Sequence, residues 1–128
     1  MRDTDLTGVV IGAAIEVHRE LGPGLLEAVY HACMMRELRA RGVSFVAQHR
    51  LPVIYKGDPL DLIYRVDLLV EDHVVVEIKA VHSLDAVHVA QVLTYMKLAR
   101  RPLGLLLNFN VPVLKDGIRR LILSSAAA

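Results

Sequence analysis

Tyr64-Arg65-Val66-Asp67-Leu68-Leu69-Val70-Glu71-Asp72-His73-Val74-Val75-Val76-Glu77-Ile78-Lys79 is the stretch on which the fold turns. Two strand-like runs, Ile63 to Val70 and Val74 to Val81, flank the polar residues Glu71, Asp72 and His73, which spells a hairpin with a three-residue loop. With that loop Val70 faces Val74, and paired residue numbers sum to 144. The same rule sets Asp67 opposite Glu77, with Cβ atoms about 5 Å apart on one face. Lys79, two residues further on, shares the face of Glu77. Two carboxylates so placed repel each other, and either Lys79 or a divalent cation can offset the repulsion. A solvated salt-bridge face and a metal-holding pair both fit this spacing. In the second case hard carboxylate oxygens suit Mg²⁺ or Mn²⁺ better than Zn²⁺.

Working outward, Leu6, Val9, Val10, Ala13, Ala14 and Val17 form a helical stripe, predicting a helix from Leu6 to about Arg19 capped by Thr4 or Asp5 and stopped by Gly22 and Pro23. A second helix is expected from about Leu25 to Ala40, ended by Gly42. Val43–Val46 and Leu51–Tyr55 read as two strands, with Lys56-Gly57-Asp58-Pro59 as a turn and Pro52 marking an edge. A third helix fits Leu84 to Ala99, capped by Ser83 and broken by Pro102. Leu103 to Phe109 is a near-continuous apolar run that suits a strand buried on both faces, and Ile118 to Leu123 is a last strand. The predicted order is α-α-β-β-β-β-α-β-β, a mixed α/β domain around one sheet.

The 128 residues are one domain's worth, with residues 124–128 expected to be a frayed tail. Hydrophobic residues make up 54% and charged residues 23%, which excludes a disordered chain. The single cysteine, Cys33, excludes an intramolecular disulfide framework and a cysteine zinc site, and it sits on the apolar face of the second helix. The six histidines are dispersed, without zinc-ligand spacing, and no Ser-His-Asp or Cys-His arrangement is evident. No segment reads as a membrane span, and the start Met1-Arg2-Asp3-Thr4-Asp5 is too acidic for a signal peptide, so a cytoplasmic location is expected. Fifteen Lys and Arg against fourteen Asp and Glu give +1, which neither demands nor excludes nucleic acid. Arg36, Arg39, Arg41, Arg100 and Arg101 are the expected phosphate contacts, with solvated helix ends as the competing reading. The apolar content and the edge near Pro52 predict a homodimer.

Further polar residues fall on helix faces. Glu27 lies in the first turn of the second helix, with Tyr30 and His31 at i+3 and i+4; a helix-dipole acid is the plainer reading. His88, Gln91 and Tyr95 share one face of the third helix. His18 is either a helix-end histidine or a substrate- or ligand-orienting group beside Glu27.

With these motifs in order, the chain resembles the GxxExxY family within the PD-(D/E)xK nuclease superfamily. Gly24, Glu27 and Tyr30 form the naming motif, after a matching Glu16–Gly24 stretch. Tyr64-Arg65-Val66-Asp67 followed by Glu77-Ile78-Lys79 forms the superfamily signature, Gln91 to Tyr95 a Gln-x-x-x-Tyr motif, and Gly104–Phe109 the following strand. Val89 departs from the expected His-Glu-Ala-Gln in His88-Val89-Ala90-Gln91. The resemblance covers about Leu6 to Leu123. It implies a restriction-endonuclease-like α-β-β-β-α-β core, a mixed sheet flanked by helices, and Mg²⁺-dependent hydrolysis of DNA or RNA, with Mn²⁺ as substitute. In that assignment Asp67, Glu77 and the Ile78 carbonyl bind metal, and Lys79 orients or activates the attacking water. Glu27 is an outer or second-metal ligand, while Gln91 and Tyr95 position substrate or ligands. His88, His18 and Tyr30 complete the expected substrate-binding set. A catalytically silent nucleic-acid-binding or regulatory module that keeps the fold is the alternative.

Overall fold

The computed structural model describes residues 3–124. Its elements are α1 (Asp3–Leu21), α2 (Glu27–Ala40), β1 (Phe45–Tyr55), β2 (Asp58–Val70), β3 (Val74–Lys79), α3 (Ala86–Ala99), β4 (Leu103–Asn108), a 3₁₀ turn (Leu114–Gly117) and β5 (Ile118–Ile122). The strands form one sheet in the order β1-β2-β3-β4-β5. Only β3 and β4 run parallel, with α3 as the crossover between them. The run α2-β1-β2-β3-α3-β4 is the expected core.

Every residue of β4 is buried, because helices cover both faces of the sheet there. Leu103, Leu105 and Leu107 join Leu68, Val70, Val74, Val76 and Ile78 under α1 and α2. Leu106, Val66, Leu69 and Val75 pack instead with Val92, Tyr95 and Met96 of α3. Truncating any fully buried leucine of β4 to alanine costs about 2–5 kcal/mol. Gly104 stands where α3 crosses most closely, since a Cβ there would lie 2.5 Å from the Met96 sulfur.

Several boundaries differ from expectation. α1 already runs at Asp3, so Asp5 lies in its first turn, where acids suit the helix dipole. Gly22, at φ 68°, ends α1 as predicted, its N–H bonded to the His18 carbonyl. The two expected strands Val43–Val46 and Leu51–Tyr55 are one continuous strand, because Gln48, at φ 53°, lets the chain turn over without leaving the ladder. β2 begins at Asp58, five residues before Ile63, in a ribbon too exposed to need apolar alternation. α3 starts at Ala86 with Asp85 as N-cap, not at Leu84 with Ser83, and the Asp85 N–H donates to His88 Nδ1. Pro52 does lie on the edge strand. Ser124 is exposed and outside any element; Met1, Arg2 and residues 125–128 of the expected tail lie outside the described residues. Among the described residues no helix is long and apolar enough to cross a membrane.

Candidate active site

The hairpin register is the one the three-residue loop requires: Val70 pairs with Val74, Leu69 with Val75 and Leu68 with Val76. The ladder then stops, one pair short of Asp67 and Glu77. The cause lies in both outer strands. Val66 packs toward α3 but Leu68 toward α1 and α2, so side-chain alternation breaks at Asp67. Across the ladder the same break falls at Gln48, between Ala47, opposite Leu68, and His49, opposite Val66. The strands therefore splay where the two carboxylates stand.

Each carboxylate takes over a backbone donor that the ladder has released. Asp67 Oδ2 accepts from the Ile78 N–H at 2.8 Å, and Glu77 Oε1 accepts from the Asp67 N–H at 2.9 Å. The acids thus reach across the gap instead of standing as a ladder pair, which corrects the directly opposed arrangement. Glu77 is 3% exposed. Burial, and then the Asp67 carboxylate beside it, push its carboxyl up to about 8. The Ile78 N–H points into the gap, and the carbonyl of the same residue points to the same side of a strand, so it also faces the gap.

Grooves open on either side of this pair. On the α2 side, a groove of about 450 Å³ is lined by Glu27, His31, Gln48 and Asp67 among others. Glu27 is the first residue of α2, and its carboxyl is raised by partial burial and then by the Asp67 charge, while Lys79 and His31 act the other way. On the α3 side, Tyr64, Lys79, His88, Gln91 and Tyr95 line a groove of about 520 Å³. Gln91 Nε2 donates to the Tyr95 hydroxyl at 2.9 Å. Burial and then Glu77 raise that hydroxyl, so Tyr95 stays a neutral phenol. Among the described residues Lys79 forms no ion pair, although its charge is felt by both Glu77 and Glu27. Among the described residues the alternative of a solvated salt-bridge face thus has no ion pair behind it.

Asp67, Glu77 and Ile78 thus stand at the gap, Glu27 lines the groove on the α2 side, and Lys79, His88, Gln91 and Tyr95 line the groove on the α3 side, whereas two expected residues are held elsewhere. Tyr30 is fully buried, stacked on Phe109 at 4.7 Å, and its hydroxyl donates to the Gly22 carbonyl while accepting from the Leu25 N–H. It fixes the turn that launches α2 and cannot touch substrate. His18 is bound through Nε2 to the Val111 carbonyl at 2.7 Å, bracing α1 against the segment after β4. Three of the five expected phosphate contacts are engaged within the protein, Arg41 with Glu37 among them. Arg101 is held by Asp72 in the hairpin loop, at 2.7 Å, and Arg39 covers the Phe45 ring. Asp72 lies in the loop beyond the end of β2, whose last residue Val70 is already about 10 Å along the strand from Asp67.

Three residues without an assigned role support the gap. His31 Nε2 lies 3.2 Å from the Asp67 carbonyl and 3.2 Å from Gln48 Nε2. Buried Asn108 pins the segment after Lys79, donating to the Val81 carbonyl and accepting its N–H, both at 3.0 Å. The signal for Asn108 was an amide inside an otherwise apolar run.

The donor set fits a hard divalent cation. Asp67 Oδ2 and Glu77 Oε1 each accept a backbone N–H, and the Ile78 carbonyl faces the same gap. Among the described residues no group of three His, Cys, Asp or Glu side chains is placed to hold a metal ion, and Glu27 is linked to the pair through the Asp67 charge. Two carboxylates and a carbonyl, with the remainder left to water, is the kind of set Mg²⁺ takes.

No curated protein and no solved structure matches the chain. A family model described as the PD-(D/E)XK nuclease superfamily matches residues 4–121. With that match spanning nearly the whole chain, and its fold built around the acidic gap, the protein belongs to the PD-(D/E)XK nuclease superfamily.

Proposed function

We propose that the protein is a metal-dependent nuclease of the GxxExxY group that hydrolyses phosphodiester bonds in DNA or RNA. The observation that carries this reading is the splayed gap. There Asp67 and Glu77 each hold a backbone N–H of the facing strand, with their carboxyl groups close enough to interact with each other. In this reading Asp67, Glu77 and the Ile78 carbonyl hold Mg²⁺, or Mn²⁺ in its place. Bound there, the ion supplies a more acidic water and neutralises charge on the phosphate. Lys79, on the α3 side of the gap, orients or deprotonates the attacking water. Glu27 acts from outside the pair, binding an outer water or a second ion. Gln91 and Tyr95 position the substrate strand, with His88 in the same groove.

Calorimetry with Mg²⁺ and Mn²⁺, run beside a cleavage assay on a mixed DNA and RNA panel, tests the reading. Asp67→Asn and Glu77→Gln should each weaken metal binding, because each removes a charged hard-oxygen ligand. Parent protein that binds nucleic acid but cuts nothing in either metal would shift the reading to a silent binding or regulatory module.

A further inference from the structure

Past the carboxylates the sheet continues as a two-stranded ribbon. β3 stops pairing with β2 at Leu68, while β1 and β2 stay paired as far as Tyr55 and Asp58. The side of the ribbon on which each residue lies follows from its neighbours. Leu51, Tyr64 and Val66 pack with α3, so Arg50 and Arg65, which alternate with them, point to the α2 side. That is the side from which Gln48 and Asp67 line the groove.

Arg50 and Arg65 are direct ladder partners and both are exposed. Among the described residues neither makes an ion pair, a hydrogen bond or a ring contact. Like charges directly opposite on a sheet oppose folding. Among the described residues no acid pairs with them: Asp61 on the same strand is four residues further out, about 13 Å away, and Asp67, two residues the other way, is engaged with the Ile78 N–H. Arg65 is two residues from Asp67, about 7 Å along the strand, so an anion between the guanidinium groups sits within one or two nucleotides of the acidic gap. Guanidinium forks match phosphate oxygens two at a time.

We propose that Arg50 and Arg65 form a phosphate clamp that seats the sugar–phosphate backbone of a nucleic acid on the α2 side of the ribbon, beside Asp67. The identity of the anion rests on the nuclease reading; the unrelieved arginine pair does not.

The test is fluorescence anisotropy with labelled single- and double-stranded oligonucleotides of unrelated sequence. It runs in EDTA and again with Ca²⁺ in place of Mg²⁺, between ~50 and ~200 mM salt. Arg50→Ala and Arg65→Ala should each weaken binding several-fold, equally for all sequences. Each should also flatten the log–log salt slope by roughly 0.7–0.9, the loss of one phosphate contact. The double lysine variant should keep the slope and lose only part of the affinity. Arg19→Ala, on α1 and paired with Glu16, should change nothing. Melting temperatures of the alanine variants should hold or rise, since the like-charge pair is gone. If the parent binds and the arginine variants bind equally well, the clamp is overturned and the nuclease reading stands. A parent that binds no oligonucleotide overturns both.

Discussion

Replacing Glu77 with glutamine should change how the stability of the protein depends on pH. Glu77 is almost completely buried, and its carboxyl is raised from 4.5 to about 8 by burial and by Asp67. The folded state therefore binds this proton more tightly than the unfolded chain. The stability associated with it is fully present below about 4.5 and is lost as pH rises through about 8. At ~1.36 kcal/mol for each pH unit between those values, the loss is at most about 5 kcal/mol. Asp67 shares part of the charge change, so about 3–5 kcal/mol is the working figure. Glutamine removes the titration but keeps an amide oxygen where Oε1 accepts the Asp67 N–H at 2.9 Å.

Urea unfolding of both proteins from pH 4.5 to 9, without metal, should show the parent losing about 3–5 kcal/mol more than Glu77→Gln across that range. In melting temperature the difference should be roughly 10 °C or more. Subtracting one profile from the other removes groups common to both. Parallel profiles, differing by less than about 0.5 kcal/mol across the range, would refute a buried carboxyl that exchanges its proton on unfolding. At pH 8, Mg²⁺ at about 100 times its dissociation constant should restore about 2.7 kcal/mol to the parent. The variant should gain much less.

Lys79→Ala should leave Mg²⁺ bound, by calorimetry, or bound more tightly, because a nearby positive charge is gone, and it should abolish cleavage. Gly117→Ala should destabilise by about 1–3 kcal/mol in denaturant melts, because the new Cβ would meet the rigid Asn108 carbonyl at 2.2 Å. Gly104→Ala should cost less, since the atom it meets belongs to the flexible Met96 thioether. Light scattering at micromolar concentration should give a dimer mass: β1 is an edge strand, and Ile54, Tyr55, Leu60 and Leu62 are exposed near the ribbon's end. A monomer mass would remove that idea.

Periodicity and turn chemistry made the sheet legible because β3 and β4 are buried on both faces and every position answers to the core. The same logic failed wherever a strand leaves the core. Asp58–Leu62 reads as loop because nothing packs on it, yet it is part of β2: Asp58 and Pro59 pair with Tyr55 and Ile54, and Leu60–Leu62 bridge a register shift before Ile63 pairs with Pro52. Gln48-His49-Arg50 likewise reads as a break between two strands. It is a turnover within one strand, and a positive φ at a non-glycine leaves no mark in composition.

That turnover also explains why the acidic pair was found by arithmetic while its geometry was not. The pairing rule assumes that alternation persists along both strands. It holds from Val74 to Val76 and then ends, because β1 and β2 change faces together at Gln48 and Asp67. Had the ladder continued, the Asp67 and Ile78 N–H groups would be spent on strand carbonyls, and the two carboxylates would face each other with no donor between them. With the strands splayed, those N–H groups hold one oxygen of each acid in a gap between two grooves. The irregularity that defeats the sequence pattern is therefore the feature that makes the acidic gap usable.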